Sequence, residues 1–118
     1  MAKLELKRLT SGGRHSVVVN LPFEDKQGNV TNEQMRVVYR GVSLREGAQL
    51  EERVNAEALT DERAALANAL AAVVVELPDM VNEGAPVEPT AEFFATLDTF
   101  YLNRINAAIR EDRNGPNR

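Results

Sequence analysis

QMRVVYRGVSLRE, residues 34–46, is the part of this sequence in which a strand pattern changes into a helix pattern. Met35, Val37 and Tyr39 alternate with the residues between them, and a period of two is typical of a half-buried strand. This alternation predicts a strand over residues 34–42. Strands that come first and helices that follow are typical of the α+β class.

A helix is predicted to begin directly after this strand. Ser43 precedes Glu46 by three residues, and this spacing forms a capping box, in which each side chain can bond the backbone of the other residue. We expect the helix to extend to Glu57. Its apolar stripe at helical spacing is Leu44, Gly47, Leu50, Val54 and Ala58.

Two further strands are predicted before residue 34. Leu4 and Leu6 alternate with charged residues, and the sequence SGG at residues 11–13 is a turn signal because glycine tolerates a positive φ. A run rich in β-branched residues follows over residues 15–21 and is predicted to end at Pro22. With the strand described above, these segments form a small antiparallel meander.

Further helices are predicted in the second half of the chain. The sequence TDE at residues 60–62 provides a hydroxyl N-cap and first-turn carboxylates, and the helix that begins there is predicted to end at Pro78. Residues 78–90 contain three prolines and are predicted to form a loop with one short extended stretch. Thr90 is expected to cap a short helix, and Asp98 a final one.

The predicted fold is therefore α+β, with a small antiparallel β-meander at the N-terminus packed against three to four C-terminal helices. Residues 1–112 are predicted to form a single α+β domain, and residues 113–118 a flexible C-terminal tail that has no apolar side chain to bury. The predicted core consists of Leu66, Leu70, Val73, Leu102, Ile105 and Ile109 packed on Val17, Val19, Val37 and Tyr39.

The net charge of −4 is unevenly distributed along the chain. Residues 1–20 carry four cations and one carboxylate, whereas residues 43–92 carry three arginines and eleven carboxylates. A central segment with this excess of carboxylates would repel a phosphate backbone, so we expect no nucleic-acid partner. Opposite charges on one small chain favour self-association as one hypothesis, and a solvated surface is the other.

The composition also bears on the compartment. The chain has no cysteine, which fits a reducing environment and excludes a thiolate metal site. Its longest apolar run, residues 69–75, is too short to cross a bilayer. Residues 1–5 lack the apolar core of a signal peptide. We therefore expect an intracellular protein without a membrane partner.

Residue types that carry chemistry are scarce. His15 is the only histidine, and Ser16 beside it would point to the opposite face of a strand. The acidic loop at residues 24–29 lacks the ligand spacing of a calcium site. Carboxylate pairs such as Glu51-Glu52 suit a solvated helix face better than acid–base catalysis. We expect no enzyme, no cofactor, no metal and no small-molecule substrate.

The aromatic residues near the C-terminus are the candidate binding residues. They are Phe93, Phe94, Phe100 and Tyr101. One interpretation is that they pack on the sheet and the second helix. The other is that they form a surface for a partner or for self-association, because exposed aromatic patches mark such surfaces.

The second half of the chain resembles a known family. Its features are VVVE at residues 73–76, EGAP at 83–86, PTAE at 89–92 and LNRI at 102–105, followed by AIRED at 108–112. This order is similar to the C-terminal half of tail assembly chaperones of long, non-contractile-tailed phages. The strand and helix start over residues 40–46 also fit the middle of that family.

The resemblance implies a role and partners. It implies a non-enzymatic phage or prophage protein that binds the tape measure protein, keeps it soluble and recruits tail-tube subunits in the host cytoplasm. Such a protein is absent from the mature virion. In the family a fraction of ribosomes slip frame near the end of the product, and residues 113–118 could carry that extension. The alternative is a small structural or neck protein of the virion, which joins head to tail.

Overall fold

The computed structural model describes residues 13–114. Two long strands are followed by two helices, a short strand, a small hairpin and two more helices. Their bounds are β1 Arg14–Glu24, β2 Val30–Arg40, α1 Leu44–Ala58, α2 Glu62–Val73, β3 Val74–Glu76, β4 Val81–Asn82, β5 Ala85–Pro86, α3 Ala91–Ala95 and α4 Thr99–Asn114. The predicted α+β arrangement of three antiparallel strands and four helices is confirmed.

The strands β1 and β2 form an antiparallel hairpin over their full lengths. The predicted end of β1 at Pro22 is wrong, because the strand continues to Glu24. In the described part of the sheet the strand order is β1-β2-β3, so β1 is an outer strand. An outer strand tolerates proline, because the N–H that proline lacks can be on the side of the strand that has no neighbouring strand.

The third described strand differs from the predicted one. The strand predicted near residues 4–9 lies outside the described residues. β3 pairs with β2 instead, with Val74 opposite Tyr39. The prediction that α2 continues to Pro78 is therefore wrong, since the helix ends at Val73. Consecutive valines fit a pleated strand, and pairing with β2 satisfies their backbone groups.

Four N-caps were predicted, and two of them, Ser43 and Thr90, are confirmed by side-chain hydrogen bonds. The final helix begins at Thr99, directly after the predicted cap Asp98. Ser43 and Thr90 each accept a backbone N–H at 3.1 Å from the residue three positions further on, as predicted. The N-cap of α2 is Asp61 and not Thr60, because the Asp61 carboxylate accepts the N–H of Ala64 at 3.1 Å. A carboxylate and a hydroxyl both suit an N-cap, so the local pattern left two choices.

The predicted core is confirmed. The buried apolar side chains include Val19, Val37, Tyr39, Leu66, Leu70, Val73, Leu102, Ile105 and Ile109. Val17 is only partly buried and packs against this set. The Tyr39 hydroxyl also bonds the carboxylate of Asp112, which ties the sheet to the last turns of α4.

The loop predicted over residues 78–90 contains the hairpin β4–β5. Glu83 and Gly84 at its tip have φ values of 52° and 83°, and two consecutive positive φ values are typical of a two-residue hairpin turn. α4 then extends to Asn114, so the first two residues of the predicted tail 113–118 are helical. Residues 115–118 lie outside the described residues.

Candidate partner-binding surfaces

The residues considered for catalysis or metal binding have structural contacts. The ring of His15 lies 5.4 Å from the buried ring of Tyr39. In the acidic loop, the Asp25 carboxylate accepts the N–H groups of Gln27 and Asn29, both at 2.9 Å. The bond from Asn29 is the main cause that lowers the pKa of Asp25. Within residues 13–114 no three potential ligands are grouped so as to hold a metal ion.

The four predicted aromatic residues fall into two pairs. Phe93 and Phe94 contact each other edge to face at 5.3 Å, and Phe94 is fully buried in the core. Phe100 and Tyr101 meet at 5.2 Å at the start of α4. Phe94 is thus a core residue and is not accessible to a partner. Phe100, at 52% exposure, is the most accessible of the four.

The second pair belongs to a patch on β1 and α4. The Tyr101 hydroxyl donates to the carbonyl of Pro22 at 3.1 Å, and its ring lies 5.3 Å from that of Phe23. The Arg104 guanidinium lies 5.7 Å from the Phe100 ring centroid. Phe23 was missed in the sequence because the strand was expected to end at Pro22. We call Phe23, Phe100, Tyr101 and Arg104 the aromatic patch.

A second candidate surface is a groove between α1 and α4. α2 forms its floor, and its volume is about 430 Å³. The residues that line it are Val42, Ser43, Leu44, Gly47, Ala48, Leu50, Glu51, Val54, Asn55, Ala69, Val73, Asn106, Ile109, Arg110 and Arg113. The lining is mixed: apolar residues of α1 and α2 alternate with polar residues such as Asn55 and Asn106, and the charged residues Glu51, Arg110 and Arg113 are exposed.

The groove is open because the apolar stripe of α1 is only partly covered. No residue of α1 is fully buried. Leu50 and Val54 are half-buried, whereas Leu44 is 95% exposed at the mouth. Leu44, which begins the apolar stripe identified in the sequence, is therefore not covered by the rest of the protein. Ala58, at the other end of the predicted stripe, is also exposed.

One arginine joins α1 to the body of the protein. The Arg40 guanidinium donates through Nε to the carbonyl of Ala72 at 2.9 Å and through Nη1 to Glu46 at 3.1 Å. Its hydrogen bond to the carboxylate holds the pKa of Glu46 below its ordinary value. The same bond raises the pKa of Arg40. β2, the end of α2 and the start of α1 thus meet at one side chain.

Two further polar links of α1 are exposed. Arg110 of α4 approaches Glu51 of α1 across the groove at 3.8 Å, and their side chains are 60% and 67% exposed. Asn68 donates to Glu57 at 2.8 Å. Ion pairs with this exposure contribute little to stability. They leave an acidic residue on the α1 wall and basic residues on the α4 wall.

Among residues 13–114 no helix has both the length and the apolar character that crossing a bilayer requires. Comparisons with protein-family models, with curated proteins and with solved structures found no match.

Proposed function

We propose that this protein is a non-enzymatic phage tail assembly chaperone, which binds the tape measure protein and recruits tail-tube subunits in the host cytoplasm. The observation that carries the proposal is the open groove between α1 and α4. It supports a role in holding helical segments of another protein, and the resemblance of residues 69–112 supplies the biological setting.

The shape of the groove supports binding of a helix. Amphipathic helices bind in apolar grooves through side chains at positions i, i+3, i+4 and i+7. The wall formed by α1 contributes groove residues from Leu44 to Asn55, and a helix rises about 1.5 Å per residue. A groove of this length can therefore contact several turns of a bound helix.

The titratable groups support binding rather than catalysis. The pKa values of Asp25, Arg40 and Glu46 are shifted. The hydrogen bonds of a turn explain the pKa shift of Asp25. The ion pair between Arg40 and Glu46 explains the pKa shifts of those two residues. A catalytic site would need a shifted acid or base directed into a cleft.

The aromatic patch favours a second candidate, a small structural or neck protein of the virion. Exposed Phe23 and Phe100 would suit a permanent interface, or self-association, since aromatic residues are enriched at the centres of interfaces. A virion component persists in purified particles, whereas an assembly chaperone is absent from them. Mass spectrometry of purified particles distinguishes the two.

Co-expression tests the chaperone proposal. We expect the tape measure protein to remain soluble and to co-purify with this chain, and to aggregate when expressed alone. Its gene should lie downstream as a long, mostly helical reading frame, preceded by an out-of-frame overlap near residue 118. Absence of such a gene, or no gain in solubility on co-expression, would contradict the proposal.

A further inference from the structure

The rim of the groove carries opposite charges on its two walls. The α1 wall presents Glu51, and the α4 wall presents Arg110. Arg113 also lines the groove, and its guanidinium reaches across to Gly47 of α1. The pair Glu51–Arg110 spans the mouth at 3.8 Å. Because both side chains are largely exposed, an incoming helix can replace this pair by pairing each charge with one of its own at small cost.

The apolar part of the groove is accessible from the same mouth. Leu44 is 95% exposed, and Leu50 and Val54 below it are half-buried. On the opposite side Ile109 of α4 is already buried in the core at 2% exposure, so the accessible apolar area lies on α1. An apolar stripe inserted here would cover Leu44 and complete the burial of the two residues below it, which favours binding by removing apolar area from water.

We infer that this groove binds an amphipathic helix of a defined charge pattern: an apolar stripe with basic residues along one flank and acidic residues along the other. The basic flank lies against α1 and pairs with Glu51. The acidic flank lies against α4 and pairs with Arg110. This inference deepens the proposed function and rests on it only for the biological source of the helix.

Three helical peptides with the same leucine stripe test the charge pattern directly. One carries lysine on both flanks, one carries glutamate on both flanks, and the mixed peptide carries lysine on one flank and glutamate on the other. We expect the mixed peptide to bind about three- to tenfold more tightly than either of the others, because each of those meets one wall of like charge. Fluorescence anisotropy near physiological salt measures the affinities.

Changing the walls should change the preferred peptide. Glu51→Lys makes both walls basic and should favour the peptide with glutamate on both flanks. Arg110→Glu makes both walls acidic and should favour the peptide with lysine on both flanks. The double variant restores opposite walls and should again prefer the mixed peptide. Matched controls are Glu52→Lys and Arg36→Glu, which make the same charge changes at exposed positions outside the groove.

A pair of exposed leucines tests the apolar contact. Leu44→Ser should weaken binding of the mixed peptide about fivefold or more, since a leucine buried in the complex contributes at least about a tenfold change when fully covered. Leu59→Ser, at the other end of α1, should change nothing, because Leu59 is 88% exposed and does not line the groove. Equal effects of the two substitutions would overturn the inference.

Three outcomes would overturn the charge pattern or the occupant. The first is that the wild type, Glu51→Lys and Arg110→Glu all prefer the same peptide. If the protein forms a dimer, and Leu44→Ser dissociates it whereas the other variants do not, the occupant of the groove is a second copy of the chain. If Leu4→Ser makes the peptide bind more tightly, the occupant of the groove is the N-terminal segment of the same chain. If the peptides behave as expected but the tape measure protein is not solubilised, the proposed function fails and the helix-binding groove stands.

Discussion

The helices α1 and α4 have similar lengths and opposite relations to the core. α4 places Leu102, Ile105 and Ile109 in the core, each at 2% exposure or less. α1 has no fully buried residue, but it packs on α2, and its half-buried Leu50 lies against the core. Arg40 and exposed polar links add to this contact. α4 is thus stabilised by the core, whereas α1 leaves part of its apolar surface exposed.

The largest expected effect comes from the buried side of this comparison. Leu70 of α2 is fully buried between the sheet and the helices. Leu70→Ala should lower the free energy of unfolding by about 2–5 kcal/mol, because the lost apolar contacts are compounded by a cavity. Urea denaturation measures the change. Leu50→Ala, at a half-buried position of α1, should lower the free energy of unfolding clearly less. Equal losses for the two variants would contradict the difference between α1 and the core.

The next effect concerns the arginine that holds α1. Arg40→Gln removes the bonds to Glu46 and to the carbonyl of Ala72, and should lower the free energy of unfolding by about 1–2 kcal/mol. Hydrogen exchange should show a larger loss of protection in α1 than in α4. Arg36→Gln, which breaks a more exposed ion pair to Asp79, is the matched control and should leave α1 unchanged. A uniform loss of protection would contradict the local role.

A smaller effect follows from the lowered pKa of Glu46. Its pKa is lower in the folded than in the unfolded protein, so the stabilisation is fully present above the unfolded value of about 4.5. That stabilisation is lost as the pH falls through the folded value. Glu46→Gln should therefore reduce the difference in stability between neutral and acidic pH. Glu52→Gln on the same helix is the control, and an identical pH dependence for the two variants would exclude this assignment.

The smallest expected effect lies at the mouth of the groove. Leu44→Ser should change the free energy of unfolding by less than about 0.5 kcal/mol, because the leucine is 95% exposed in the folded protein. The same substitution is expected to weaken peptide binding. A Leu44→Ser variant that keeps its stability but loses peptide binding would support the difference between α1 and α4. A loss of several kcal/mol would show instead that the residue supports the fold.

Much of the fold was accessible from the sequence because it depends on local patterns. The alternation of Val37 and Tyr39, and the caps at Ser43 and Thr90, involve residues within a few positions of each other. The core followed from the same periodicities, since a face that is apolar at the spacing of its element is suited to burial. Val17 was the one residue of the predicted core that is only partly buried.

The candidate surfaces were harder to predict. Phe94 was grouped with its aromatic neighbours by proximity along the chain, although the structure places it in the core and Phe100 at the surface. Phe23 joins the patch through a contact with Tyr101. Contacts between residues far apart in the chain leave no periodic signal, so the patch could not be assembled from spacing.

The sequence by itself determined the two long strands and the four helices in their order, the caps at Ser43 and Thr90, and which faces are apolar, because each depends on neighbouring residues. The tertiary structure alone decided that residues 74–76 form a strand, since that depends on pairing with β2. It also decided that the stripe of α1 stays open at Leu44. An apolar stripe shows that a face is suited to burial, but whether the same chain covers it depends on where the other helices pack.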